Sequence, residues 1–252
     1  MGLFGSLFGR GRGAATPFEA DPFLDRLVQG VLDCCEYAVF AGEGAAAMAE
    51  RVAKRHTDRE CLACEPAGEP FYAASSHTEK VKNLYLFNQR PREFLLGLKH
   101  DKPYLMERDT LVVLNVPGGG SERRVFAEAA FIASTFAAPF LLLLGCRVPG
   151  NDAFAFDTNR GRECSLKNLR PCFVKTPHTL YFPAYSVPQS RSRMLKGWCL
   201  ATLGRNAHHA FPEEIMALLT KPEPRPASEP GAETPVVSTS SSAQGSKNAS
   251  DS

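Results

Sequence analysis

Residues 110–146 restrict the fold more than any other stretch. Thr110-Leu111-Val112-Val113-Leu114-Asn115-Val116 is an unbroken, mostly β-branched and leucine run of strand length. It reads as a buried strand. Pro117-Gly118-Gly119-Gly120-Ser121 follows as a loop, residues 122–136 carry the apolar spacing of a helix, and 139–146 form a second apolar run with four leucines, Leu141 to Leu144. A strand, loop, helix and strand in succession is a crossover unit whose two strands run parallel, because the connection is too long for a hairpin. The chain is therefore expected to be an α/β protein with one globular domain over 17–220. A flexible arm precedes it over 1–16, and a disordered Pro/Ser-rich tail follows over 221–252.

The remaining elements carry weaker signals. Asp21-Pro22 has the composition of a helix start, with Asp as cap and Pro in the first turn. Phe23, Leu24, Leu27, Val28 and Val31 then recur at helical spacing, and the helix is predicted to run on to about Val39. A second helix is expected over 45–55, irregular structure over 56–80, a strand over 81–87 and a short helix over 91–98. Near the end, a short strand is expected over 180–182 and helices over 193–203 and 213–219. From Lys221 onward Pro, Ser, Glu and Thr dominate, a composition also suited to phosphorylation.

Bulk properties exclude some classes. With 29 Lys and Arg against 27 Asp and Glu, the formal net charge is +2. So small a balance argues against a nucleic-acid partner, and none is expected. The most apolar stretch, 125–146, is interrupted by Glu128, Ser134, Thr135 and Pro139, so it is no membrane span. Arg10 and Arg12 follow the first apolar residues, the reverse of a secretory signal. In a reducing compartment the eight cysteines are core residues, metal ligands or acylation sites before they are disulfides. For the same reason Asn248-Ala249-Ser250 carries no meaning as a glycosylation acceptor.

Four groups of residues could carry function. Met1-Gly2-Leu3-Phe4-Gly5-Ser6 fits the pattern for N-myristoylation, which needs Gly2 exposed as a free amine. One myristate binds membrane with an association constant of only about 10⁴ per molar. Leu3, Phe4, Leu7 and Phe8 are therefore read as added apolar contacts. Arg10 and Arg12 would add attraction to anionic lipid, about 1 kcal/mol each. Cys34-Cys35 lie in an apparent helix, where burial is commoner than acylation. Cys61 and Cys64, flanked by His56 and His77, have the residue types of a structural zinc site. Gly118, Gly119 and Gly120 lie between a strand and a helix, where backbone amides can hold a phosphate, but neither a P-loop nor a Gly-x-Gly-x-x-Gly spacing is present there. No catalytic residue is assigned. His208-His209 and Glu213-Glu214 read as polar residues around the last helix, and Arg191, Arg193 and Lys196 near Trp198 as a basic helix face.

The Gly2 start, the length, the 110–146 unit and a C-terminal part around 191–215 ending in a polar tail together resemble one known family. It is the Circ-type myristoylated tegument proteins of varicellovirus-group alphaherpesviruses. The resemblance implies a lipoprotein of the virion tegument and of the cytosolic face of host membranes. Such a protein acts by anchoring and by contacts with viral or host proteins, and has no enzymatic activity. The alternatives are a nucleotide-binding or enzymatic α/β domain using Gly118 to Gly120, or a zinc-stabilised adaptor.

Overall fold

The computed structural model describes residues 16–65, 69–115 and 125–222. In chain order its elements are α1 (Pro17–Ala20), α2 (Pro22–Leu32), β1 (Tyr37–Gly42), α3 (Ala45–Arg55), β2 (Glu60–Glu65), α4 (Glu69–Thr78), β3 (Leu84–Asn88), α5 (Pro91–Asp101) and β4 (Thr110–Asn115). There follow α6 (Val125–Thr135), β5 (Pro139–Leu144), β6 (Thr158–Asn159), β7 (Arg162–Glu163), α7 (Leu166–Leu169), β8 (His178–Pro183), β9 (Trp198–Leu203), α8 (Glu213–Met216) and β10 (Leu219–Thr220).

Eight strands form one sheet in the order β10-β8-β9-β5-β4-β1-β2-β3, while β6 and β7 pair separately. β3, β2, β1, β4 and β5 are all parallel, and β4 and β5 pair from Thr110↔Pro139 to Asn115↔Leu144. This is the crossover expected from the sequence. β9 runs antiparallel to both β5 and β8. The chain moves outward from β1 through β2 to β3, then returns to place β4 on the other side of β1. Crossovers of a parallel sheet are right-handed, so reversing the direction of winding sends the helices to the opposite face. Accordingly α2, α3 and α8 contribute Leu27, Val28, Met48, Val52 and Ile215 to one core layer. α5 and α6 contribute Phe94, Leu98, Ala129 and Ile132 to the other. Alternate strand residues feed the two layers: Phe40, Val113 and Leu142 one, Val39, Val112 and Leu141 the other.

α2 starts as the sequence predicts. The Asp21 carboxylate Oδ1 accepts the Phe23 and Leu24 amides at 3.1 and 3.2 Å. It stops at Leu32 instead of continuing to Val39. Residues 37–42 are needed in the sheet, where all but Tyr37 are buried and a helix could not bury both faces. Two other expectations are overridden by the same central sheet. Residues 60–65, read as irregular, are the buried strand β2, and 198–203, read as helix, are the fully buried strand β9.

Candidate functional site

In an open α/β sheet the ligand crevice lies outside the carboxyl ends of the strands, where the winding reverses. Here that point is between β1 and β4. Gly42, the last residue of β1, sits opposite Asn115, the last of β4. The chain leaves β1 through Gly42-Glu43-Gly44 and enters α3 directly. Gly42 has φ +123° and Gly44 φ +70°, conformations that a side chain would strain. Gly44 is the cap position of α3, offers no capping side chain, and a Cβ placed on it would meet nothing within 4 Å. The backbone is thus open to close approach. Asn115 holds the turn in place: its Nδ2 donates to the Glu43 carbonyl at 2.7 Å.

Glu65 closes the next strand. It ends β2, is 6% exposed, and its Oε1 accepts the Ala46 amide of α3 at 3.0 Å. Burial raises its carboxyl above the ordinary carboxylate range, the Ala46 and Ala45 amides oppose this, and the Glu43 charge adds to the rise. Strand, Gly42-x-Gly44-x-x-Ala47, helix, and an acidic residue at the tip of the following strand form the nucleoside-binding pattern of doubly wound sheets. In that pattern the glycines let the backbone approach the ligand and the acid receives ribose hydroxyls. The sequence alone conceals it, because the helical spacing that begins at Phe23 runs on to about Val39 and hides the strand β1. The spacing of Gly42, Gly44 and Ala47, with an acid about 20 residues on, was the available signal.

The other sequence-derived candidates fall elsewhere. Gly2, Leu3, Phe4, Leu7, Phe8, Arg10 and Arg12 lie outside the described residues, as do Gly118, Gly119 and Gly120. His56, Cys61, Cys64 and His77 are not brought together. Three residues apart on a strand, Cys61 and Cys64 face opposite core layers. Burial pushes the Cys61 thiol up to about 12, and His56 Nε2 bonds Gln29 Oε1. Among the described residues no group of three or more His, Cys, Asp or Glu is placed to hold a metal. Cys35 is buried and Cys34 half-buried. His209 packs edge-on against Phe140 and Phe211, a core role.

A second polar group lies at the same end of the sheet. The Tyr185 hydroxyl donates to Asp21 Oδ2, and the Trp198 Nε1–H donates to that hydroxyl at 3.0 Å. Burial, then the Asp21 charge, raises the Tyr185 phenol far above its ordinary value, so it stays protonated. Phe23 stacks on the Tyr185 ring at 4.5 Å with half of its own surface exposed.

No protein-family model matches the sequence, and no curated protein matches it. Solved structures are similar to it. Spermidine synthase from Thermotoga maritima is 12% identical at a TM-score of 0.48, over 78% of this chain and 65% of that one, just under two thirds of its length. The N-methyltransferase NodS from Bradyrhizobium japonicum WM9 is 14% identical at 0.48, over 75% and 96%. An rRNA methylase from Streptococcus thermophilus is 11% identical at 0.43, over 72% and 97%. The solved structures it is similar to include methyltransferases and a spermidine synthase, proteins unlike a herpesvirus tegument protein. On that finding the tegument resemblance is corrected. With it go the expectations of a virion lipoprotein, of a purely non-enzymatic scaffold, and of lipid and protein partners to the exclusion of nucleic acid.

Proposed function

We propose that the crevice at the carboxyl ends of β1, β2 and β4 binds S-adenosylmethionine, and that the domain is a transferase using it. The observation that carries this is Glu65 at the tip of β2, packed on the first turn of α3 beside the open Gly42-Glu43-Gly44 turn. The donor set fits an adenosyl group: a carboxylate for ribose hydroxyls and a side-chain-free stretch of backbone for close approach. It fits a pyrophosphate poorly. Glu43 is exposed within the turn itself, and its charge already reaches Glu65. A dianionic phosphate bridge would meet two carboxylates, whereas a cationic sulfonium ligand is favoured by them.

When bound, that cofactor supplies a methyl group activated by its positive sulfur. The chain's own residues do the holding. Glu65 orients the ribose, the Gly44 backbone accepts the ligand closely, and Asn115 fixes the turn through the Glu43 carbonyl. Tyr185, locked by Asp21 and Trp198, is a fixed neutral group at the same end of the sheet.

Thermal unfolding with S-adenosylhomocysteine and with NAD⁺ tests the reading. Binding to the folded state raises the midpoint with ligand concentration. S-adenosylhomocysteine is expected to stabilise the wild type but not Glu65→Ala. A flat response to it overturns the proposal, and stabilisation by NAD⁺ instead returns the site to a dinucleotide.

A further inference from the structure

The formal charge of +2 conceals a strong segregation. Between Gly145 and Gly197 the chain has nine Lys or Arg and only three Asp or Glu. All three acids are paired: Asp152 and Glu163 with Arg147, and Asp157 with Lys196. Arg160, Arg162, Arg191 and Arg193 are exposed, and among the described residues none of them pairs with an acid.

All four arginines lie on segments tied to the chain that leaves the carboxyl end of β5. The Asp157 amide donates to the Gly145 carbonyl just beyond β5, and the Arg147 amide to the Cys164 carbonyl, so the β6–β7 ribbon bearing Arg160 and Arg162 hangs from the carboxyl end of β5. The Arg193 amide donates to the Ala153 carbonyl, and the Arg191 guanidinium to the Ala20 carbonyl. Trp198 then starts β9 opposite Leu144, the last residue of β5. Arg160 and Arg193, at φ +53° and +60°, are the only non-glycine residues with positive φ among the described residues. Such conformations concentrate at functional sites, where the surrounding structure holds them. Partly exposed aromatic rings accompany the charges. Phe23 is 46% exposed and Phe156 36%. Arg162 lies over Phe126 at 4.9 Å, beside an open cleft of about 310 Å³.

We infer that this basic region binds single-stranded nucleic acid, the substrate class for the site proposed above, and the inference rests on that reading. Guanidinium forks match phosphate oxygens in pairs. Partly exposed aromatic rings beside them offer stacking to unpaired bases, the combination used for single strands. On this reading the carboxylates of Glu43 and Glu65, after β1 and at the end of β2, face the cationic cofactor, and the arginines beyond β5 take the polyanion.

Fluorescence polarisation of the full chain with a labelled mixed-sequence 20-mer tests this, as single-stranded RNA, as single-stranded DNA and as a duplex, with phosphatidylserine vesicles as a further arm. Single strands are expected to bind more tightly than duplex, with log Kd rising steeply in log salt. The RNA and DNA arms identify which sugar is preferred. R160E/R162E/R191E/R193E is expected to weaken binding at least tenfold, and K54E/K99E/K175E, exposed charges before the amino ends of β2, β4 and β8, to leave it nearly unchanged. Phe23→Ala, which alters no charge, is expected to weaken binding without changing the salt slope. No binding at low salt, equal loss in the two charge-reversal variants, or preference for vesicles would each overturn the inference. S-adenosylhomocysteine binding by the same samples separates the two proposals. If the cofactor does not bind but the strand does, the cofactor reading alone has failed.

Discussion

Gly44 separates folding from binding at a single residue. Its positive φ costs an L-residue about 1–2 kcal/mol, yet a Cβ there touches nothing. Gly44→Ala should therefore unfold at modestly lower denaturant but lose about tenfold or more in S-adenosylhomocysteine affinity by calorimetry. Tyr185 has the opposite character. Removing its hydroxyl leaves the 2%-exposed Asp21 and the fully buried Trp198 indole each short of a partner. Tyr185→Phe should cost about 2–4 kcal/mol in urea unfolding, far more than one exposed hydroxyl. Glu65 gives a pH signature. Its folded carboxyl titrates above the ordinary value of 4.5, so the folded state binds the proton more tightly than the unfolded one. Its contribution is thus fully present below pH 4.5 and is lost as pH rises through the raised folded value. Glu65→Gln should remove that loss, so the difference in unfolding free energy between variant and wild type should grow over this interval.

At the level of elements, the legible parts were those whose local pattern agreed with their surroundings. The 110–146 crossover and the Asp21-Pro22 helix start were readable because apolar run length and capping chemistry act within a few residues. β1, β2 and β9 were not, since their strand state is imposed by neighbours distant in sequence. Cys61-Leu62-Ala63-Cys64 shows the consequence. Its spacing resembles half a metal site in a loop, but in a strand it sends one thiol to each core layer. A chelator is accordingly expected to leave the unfolding midpoint unchanged, and a fall in midpoint on adding EDTA would show a metal contribution. Missing β1 also hid the site, because Gly42-Glu43-Gly44 has meaning only between a strand and a helix.

Across the whole molecule, charge is distributed by function more than by amount. A total of +2 argues against a polyanionic partner, but it averages residues 145–197, with nine Lys or Arg against three Asp or Glu, with the rest of the chain, 20 against 24. Composition cannot show where these charges gather, because that is settled only once the sheet is assembled. Stability should be graded in the same way. β1 pairs on both sides and is buried on both faces. Its amides should exchange with solvent only through global unfolding, whereas those of the β6–β7 ribbon should exchange through local opening.

The Asn115–Glu43 hydrogen bond joins residues 72 apart in the chain. During synthesis at about 5–20 residues per second, Glu43 therefore leads its partner by roughly 4–14 s. Over that interval a half-made chain can form β1, α3 and β2 but cannot hold the turn between them. Competence to bind would arrive abruptly, only after β4 has emerged and taken its place beside β1.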